Sequence, residues 1–175
     1  MAVRNIYWYG ADVLKNPCAE VTRINDGIQT LIEDMFETMR AADGVGLAAN
    51  QVGVSKRIIV IGMPGGEKRK ALKIAMINPK ILTRSETLAT EEEGCLSVPG
   101  VRTEVIRPDI VSVRFLDIDG NEHTIEADDM LARIVQHETD HLDGILFVER
   151  IPTEVKKTLT LELKRIKREG RTRIL

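Results

Sequence analysis

The sequence has no long apolar run, few aromatic residues and little net charge. Aromatic residues make up 3% of the 175 residues, hydrophobic residues 43% and charged residues 30%, as in an ordinary globular chain. No stretch approaches the roughly 18 apolar residues of a membrane-spanning helix, and residues 1–10 contain no signal-peptide core. These absences exclude disordered, collagen-like and membrane-spanning classes. They predict one domain in the cytoplasm.

Cysteine is also scarce, because Cys18 and Cys95 are the two in the chain. They could pair in principle, but an isolated cysteine in a reducing compartment is more often buried, catalytic or metal-bound. A chain of this length typically buries about 70% of its unfolded surface, so it needs no disulfide to form a core.

The charge is unevenly distributed along the chain. The whole sequence carries a formal net charge of −2, with 25 basic and 27 acidic residues. Residues 155–175 hold eight basic and two acidic residues, a net charge of +6, which leaves −8 on the rest. Such a run is either a solvated helix face or a contact surface for an anionic partner. Both interpretations stay open from the sequence.

Apolar residues recur at helical spacing in three stretches, residues 28–39, 131–142 and 155–166. An asparagine or aspartate stands before each of the first two as a candidate N-cap, and Gly144 is expected to end the second. The third stretch follows Pro152 and predicts a single C-terminal helix.

Four short segments predict β-strands. Residues 57–61 and 72–77 are rich in β-branched residues and are separated by glycine and proline, which predicts a hairpin. Residues 111–115 alternate with period two and are joined by a turn to residues 123–126, which predicts an antiparallel pair. The expected fold class is α+β, with antiparallel sheets packed around a central helix and a C-terminal helix after it.

The second predicted helix contains the sequence His-Glu-Thr-Asp-His, residues 137–141. Residues four apart lie one turn above each other, so His137 and His141 can point at one metal ion. Glu138 can then reach a water molecule bound to that ion. The alternative is a surface helix with two solvated histidines.

Cys95 lies in Glu-Gly-Cys-Leu-Ser, residues 93–97, which we interpret as a small loop between two strand-like segments. A thiolate is a strong third ligand, and three protein ligands leave the fourth tetrahedral position for water, as in catalytic sites. The other candidates, Cys18 and His123, are expected to be a core residue and an exposed strand residue.

Residues 44–51, Gly-Val-Gly-Leu-Ala-Ala-Asn-Gln, follow the first helix. They are not a dinucleotide-binding fingerprint, because no strand precedes them and Ala49 stands where the third glycine belongs. Small residues permit close approach of a ligand or a strand, and the Gln51 amide could polarise a carbonyl. A purely structural loop is the alternative.

Together the segments 44–51, 93–97 and 136–142 resemble the three signature motifs of the peptide deformylases, in the same order and at similar separations. The resemblance covers roughly residues 5–150. It implies hydrolysis of the formyl group from the N-formylmethionine of nascent polypeptides, with release of formate. It also implies that residues 1–150 form the catalytic domain, and that residues 151–175 add a basic helix and tail to the same domain.

The resemblance implies functions for individual residues. Cys95, His137 and His141 would hold one divalent metal ion, natively Fe²⁺, although Zn²⁺, Ni²⁺ and Co²⁺ can occupy such sites. Glu138 would accept a proton from water and deliver it to the leaving amine. The Gln51 side chain and the backbone N–H of Leu96 would stabilise the oxyanion.

Substrate contacts are implied as well. Arg133 stands where many relatives carry an aliphatic residue, and Asn50 occupies a position that the first motif leaves free. Met130 and Ile134, on the second predicted helix, could instead belong to the apolar stripe that packs in the core. The implied substrate-binding residues are Val45, Gly46, Gly94, Met130 and Ile134.

Two other classes of metal protein share part of this pattern. A zincin-type peptidase would take its third ligand from a further His or Glu, and a structural metal module would need four protein ligands. Cys95 in its motif favours neither. The expected partners are formylated nascent peptides and, through the basic C-terminal helix, ribosomal RNA. Neither a membrane nor DNA is expected as a partner.

Overall fold

Residues 2–66 and 70–169 are described by a computed structural model. Within them lie four α-helices, α1 (Asp26–Ala41), α2 (Asp129–Leu142), α3 (Thr153–Thr158) and α4 (Thr160–Glu169). The strands are β1 (Gly46–Ala48), β2 (Ile58–Met63), β3 (Leu72–Arg84), β4 (Leu88–Cys95), β5 (Val98–Pro108), β6 (Ile110–Leu116) and β7 (Glu122–Asp128). Short 3₁₀ turns cover Asp12–Leu14, Ala49–Val52 and Phe147–Glu149.

Helix α1 confirms the first predicted helix and its cap. The Asn25 side chain accepts the N–H of Ile28 at 3.1 Å, which satisfies one of the backbone donors that every helix start leaves unpaired. The apolar stripe, including Met35 and Met39, is buried against β1 and β2.

Five strands form one antiparallel sheet in the order β1-β2-β3-β6-β7. Both predicted strand pairs, β2 with β3 and β6 with β7, are confirmed. Strand β3 does not stop before Asn78 and Pro79, as the sequence suggested, but continues to Arg84 across a register shift between Ile77 and Lys80. The shift accommodates Pro79, which cannot donate a ladder hydrogen bond.

A separate two-stranded sheet, β4 with β5, contains the two strand-like segments expected on either side of Cys95, although their bounds and their pairing were not predicted. Cys95 is the last residue of β4 and pairs with Val98, so the turn consists of Leu96 and Ser97. The predicted loop over residues 93–97 is therefore mostly strand. Likewise, part of the predicted loop 44–51 forms β1 and a 3₁₀ turn. The bounds of β4 and the presence of β1 were not predicted, because β4 is mostly polar and β1 has only three residues.

Helix α2 confirms the second predicted helix and lies centrally. Ala132, Val135 and Leu142 pack in the core formed with the large sheet, and the helix also contacts β5 of the small sheet. Helix α2 therefore connects the two sheets. Within the described ranges, no helix is both long and apolar enough to cross a membrane.

The single C-terminal helix predicted after Pro152 is two helices, separated at Leu159. The hydroxyls of Thr158 and Thr160 hydrogen-bond to backbone carbonyls one turn earlier, an arrangement that competes with regular helix. Leu163 and Ile166 are buried as expected. Val155, expected on the apolar stripe, is 37% exposed. The tail residues 170–175 lie outside the described residues.

The connection after α2 predicts a measurable stability difference. Gly144 has φ +76°, and a Cβ there would lie 2.6 Å from the Lys15 carbonyl oxygen. We expect Gly144→Ala to lower the free energy of unfolding by about 3 kcal/mol, because it adds steric overlap to left-handed strain. Gly120 has φ +87°, and a Cβ there would make only an ordinary contact, 3.8 Å from Ile24 Cδ1, so Gly120→Ala should lower the free energy of unfolding by about 1 kcal/mol. Urea unfolding compares the two, and equal midpoints would contradict the packing argument.

Candidate metal centre and active site

Helix α2 and the β4–β5 turn bring the three predicted metal ligands together. The ligand atoms of Cys95, His137 and His141 all lie within 4.8 Å of one another. Cys95 Sγ is 3.1 Å from His141 Nε2. Four-coordinate bonds of 2.0–2.3 Å place neighbouring ligand atoms roughly 3.5 Å apart. In the described part of the chain, this is the one cluster of three or more His, Cys, Asp or Glu side chains spaced for a metal ion.

Glu93 determines which nitrogen His137 presents to the cluster. The Nδ1 atom of His137 lies 2.8 Å from Glu93 Oε2, and an ionised carboxylate only accepts, so Nδ1 carries the proton. The unprotonated Nε2 is then left as the ligand atom. One thiol and two imidazoles in this spacing fit a small divalent ion such as iron or zinc.

The Glu93 carboxylate is itself held by two arginines. Arg107 donates to Oε1 from Nε at 2.6 Å and to Oε2 from Nη2 at 3.0 Å. Arg133 donates from Nη1 to Oε1 at 2.7 Å. Burial alone would raise the pKa of Glu93, but the hydrogen bonds from His137 and Arg107 lower it to about 2. Glu93 is therefore ionised although it is 5% exposed.

Asp140 extends this buried ionic cluster along α2. It accepts Arg107 Nη1 at 2.8 Å and both Arg150 Nε and Nη2, at 3.1 and 2.5 Å. Asp140, which directly precedes His141, thus connects α2 to β5 and to the segment before α3.

Glu138 contrasts with Glu93. It is also 5% exposed, and its Oε2 atom has no hydrogen-bond partner among the described residues. Burial raises the pKa of Glu138 to about 7, whereas a metal cation nearby would act in the opposite direction. A Cβ at Gly46 would lie 2.5 Å from Glu138 Oε1, so β1 can pass this carboxylate only because residue 46 is glycine.

Gln51 presents its amide nitrogen to the cluster. Its Oε1 accepts the Ala48 N–H at 2.8 Å. Its Nε2 donates to Ser97 Oγ at 3.0 Å and lies 3.6 Å from Cys95 Sγ. These contacts fix the amide with its N–H groups toward the site.

Asn50 occupies a position at which the first motif does not specify a residue type. It is fully buried, and its Nδ2 donates to the backbone carbonyl of His141 at 2.5 Å. This bond connects the first motif to the last turn of α2.

One pocket opens onto the cluster, and the predicted site residues line it, apart from His141, which is fully buried. Met130 is 43% exposed, so it is not part of the helix core, whereas Ile134 is 5% exposed and both packs in the core and faces the pocket. The predicted residues that line the pocket are Val45, Gly46, Gln51, Gly94, Cys95, Leu96, Met130, Ile134, His137 and Glu138.

The two remaining candidates lie where they were expected. Cys18 is 7% exposed in the core, and burial raises the pKa of its thiol to about 11. His123 lies on β7, 46% exposed at the side chain, and contacts Asp117 at 2.7 Å.

The charged side chains that support the site were missed. Arg133 lines the pocket but is 6% exposed, and its guanidinium lies beside Glu93. Glu93 stands inside the second motif, and its position two residues before Cys95 was the available signal. Arg107 lies two residues after the buried Val105 on β5, so strand alternation places it on the inner face.

Comparison with known proteins shows the family to which the chain belongs. The sequence profile of the polypeptide deformylase family matches residues 3–157. Curated peptide deformylases from Agathobacter rectalis and Brachyspira hyodysenteriae are 50% and 41% identical to this chain, over 86% and 94% of it and 91% and 89% of their own lengths.

Solved structures agree in fold as well. The crystal structure of peptide deformylase from Ehrlichia chaffeensis in complex with actinonin superposes with a TM-score of 0.88 at 39% identity, covering 98% of this chain and all of the other. A plant peptide deformylase gives a TM-score of 0.89 at 35% identity, over 95% of this chain and 90% of its own. By sequence and by fold, this chain belongs to the polypeptide deformylase family.

Proposed function

We propose a residue-level account of how this chain carries out the activity of its family, the hydrolysis of the formyl amide of N-formylmethionyl nascent peptides to formate and a free amino terminus. The observation that carries the account is the Cys95–His137–His141 cluster at the wall of a pocket. Glu138, a buried carboxylate whose Oε2 atom has no hydrogen-bond partner among the described residues, lines the same pocket.

Cys95, His137 and His141 are the proposed ligands of one divalent ion. When bound, such an ion supplies a Lewis acid that polarises the formyl carbonyl and makes water nucleophilic near neutral pH. The donor set suits several first-row metals, and we propose Fe²⁺ as the ion in the cell because the family uses it natively. Metal analysis of protein purified without oxygen should find iron, and zinc alone would contradict this choice.

Glu138 is the proposed acid and base. Its carboxylate accepts a proton from the attacking water and later delivers it to the amine as the C–N bond breaks. Gly46 leaves the room that the carboxylate occupies. Burial raises the pKa of Glu138 and a bound cation lowers it, and these opposing effects keep the carboxylate available both to accept and to return a proton.

Gln51 and Leu96 are the proposed donors to the oxyanion. One N–H of the Gln51 amide is engaged by Ser97, and the other is directed toward the cluster, where charge develops on the formyl oxygen. The backbone N–H of Leu96 adds a second donor from the tight turn after Cys95. Donors fixed before the reaction need no reorganisation when charge appears.

The rest of the pocket fits an N-terminal methionine. Val45, Gly46 and Gly94 are proposed to line the peptide backbone. Met130 and Ile134 are proposed to contact the methionine side chain, because an unbranched thioether fits an apolar surface. A zincin-type peptidase would need a further His or Glu ligand, and the described cluster has Cys95 instead.

The basic C-terminal segment is proposed to contact ribosomal RNA, which would place the enzyme in the cytoplasm where nascent peptides emerge. Lys164, Arg165, Lys167 and Arg168 are exposed on α4, whereas Leu163 and Ile166 pack in one cluster with Val98 and Phe147. We therefore propose that residues 151–175 belong to the same domain as the site.

The function of Glu138 can be tested directly. We expect Glu138→Ala to reduce hydrolysis of formyl-Met-Ala by 10²–10⁴-fold, because general acid–base catalysis contributes about that much. The variant should keep one metal ion per chain. The exposed Glu33→Ala on α1 is the matched control and should remain fully active. Activity of Glu138→Ala near that of the parent would contradict the proposed mechanism.

The two cysteines allow a matched test of metal binding. Cys95→Ala should lose bound metal and activity together, because two imidazoles alone bind weakly. Cys18→Ala removes a thiol sulfur from the core, outside the proposed ligand cluster. It should keep the bound metal and the activity, and lower the free energy of unfolding by about 1 kcal/mol. Metal content per chain by mass spectrometry distinguishes them, and full occupancy in Cys95→Ala would exclude Cys95 as a ligand.

Ribosome binding predicts a strong dependence on salt, since phosphate contacts release counterions. Replacing Lys164 and Arg168 by glutamine should weaken co-sedimentation with ribosomes and flatten its salt dependence. The same change at the exposed Lys80 and Arg84 of β3 is the control for net charge. If the two double variants co-sediment equally with ribosomes, the basic residues of α4 are simply a solvated helix face.

A further inference from the structure

Arg133 is a buried arginine on α2, one turn before His137. Its guanidinium makes four contacts, all with the β4–β5 hairpin. Nη1 donates to Glu93 Oε1 at 2.7 Å and to the Val105 carbonyl at 3.0 Å. Nη2 donates to the Ala89 carbonyl at 2.9 Å, and Nε lies 3.0 Å from Glu91 Oε2.

The contact with Glu93 bears on the histidine ligand. Glu93 Oε1 is fixed by two donors, Arg133 Nη1 and Arg107 Nε. A carboxylate is rigid and planar, so fixing Oε1 also fixes where Oε2 lies. Oε2 is the atom that meets His137 Nδ1 at 2.8 Å, and therefore Arg133 helps to set the direction of the His137 ring.

The carbonyl contacts bear on the cysteine ligand. Ala89 lies on β4, the strand that ends in Cys95, and Val105 lies on β5. The guanidinium therefore bridges both strands of the hairpin. His137 and His141 lie on the helix that carries Arg133. One side chain therefore holds the element with the thiol against the element with the imidazoles.

We propose that Arg133 is a positioning residue for the metal site, which acts through Glu93 on His137 and through the hairpin backbone on Cys95. It does not touch the reacting atoms. The inference rests on the proposed ligand set, and it assigns a function to a residue that the sequence marked only as standing where many relatives carry an aliphatic residue.

The test measures Co²⁺ binding by the full chain, with competition against a chelator and the thiolate-to-cobalt absorption band as readouts. Removal of groups that orient metal ligands typically costs 10–100-fold in affinity. We expect Arg133→Met to bind Co²⁺ about 10-fold more weakly, with an altered band. Glu91→Ala removes a contact of Arg133 that does not involve Glu93, and it should stay within twofold of the parent.

Gly120→Ala is the control for a general loss of stability, and it should show the same thiolate-to-cobalt absorption band as the parent. If Arg133→Met retains the affinity and spectrum of the parent, the proposal is overturned. If that variant does not fold, Arg133→Lys carries the test, because an ammonium cannot reproduce the four contacts and should still lower affinity several-fold. Unchanged affinity in Arg133→Lys overturns the proposal equally.

These readouts need no substrate. A parent chain that binds Co²⁺ through a thiolate but does not deformylate formyl-Met-Ala would contradict the proposed function, while the comparison of Arg133→Met with Glu91→Ala would still decide the positioning role. In an active parent, we expect Arg133→Met to lower kcat at full cobalt occupancy and to change KM less.

Discussion

The ionised Glu93 carboxylate, buried between β4 and α2, is the interaction on which the site depends. An isolated buried charge costs several kcal/mol, and here it is offset by donors from Arg107, Arg133 and His137. Those donors lie on β5 and α2, so the charge is satisfied only when the hairpin is docked on the helix. Cys95 is two residues from Glu93, and docking therefore assembles the ligand cluster as well.

The two carboxylates near the cluster show how environment separates chemically equal groups. Glu93 accepts three hydrogen bonds from two arginines and a fourth from His137, and its pKa falls to about 2. Glu138 is equally buried, but its Oε2 atom meets no donor in the described part of the chain, and burial raises its pKa to about 7. Opposite shifts of this kind typically separate a charged supporting group from a group suited to proton transfer, which is the function proposed for Glu138. Gly46 is what allows β1 to close over the second one.

Sequence patterns predicted the elements whose stability is mainly local or periodic. The apolar stripe and cap of α1, the helical stretch of α2 and the strand pairs β2–β3 and β6–β7 were found this way. The bounds and pairing of β4 and β5 were not, because the inner face of this hairpin carries the charged Glu93 and Arg107 beside apolar residues such as Val105. The helix break at Leu159 was missed because threonine hydroxyls beside it compete for backbone carbonyls.

By itself, the sequence determined the α+β class, the shared face of His137 and His141, and, by resemblance, the motifs of the family. Helical periodicity is a local property, so a spacing of four residues was sufficient for that pair. The resemblance also implied that Cys95 joins them, but only the tertiary structure decided that a docked hairpin brings the thiol there and that Arg133 is a buried partner of Glu93. Those outcomes depend on how buried charges are satisfied across distant segments, and no local pattern records which donors a fold brings to a carboxylate.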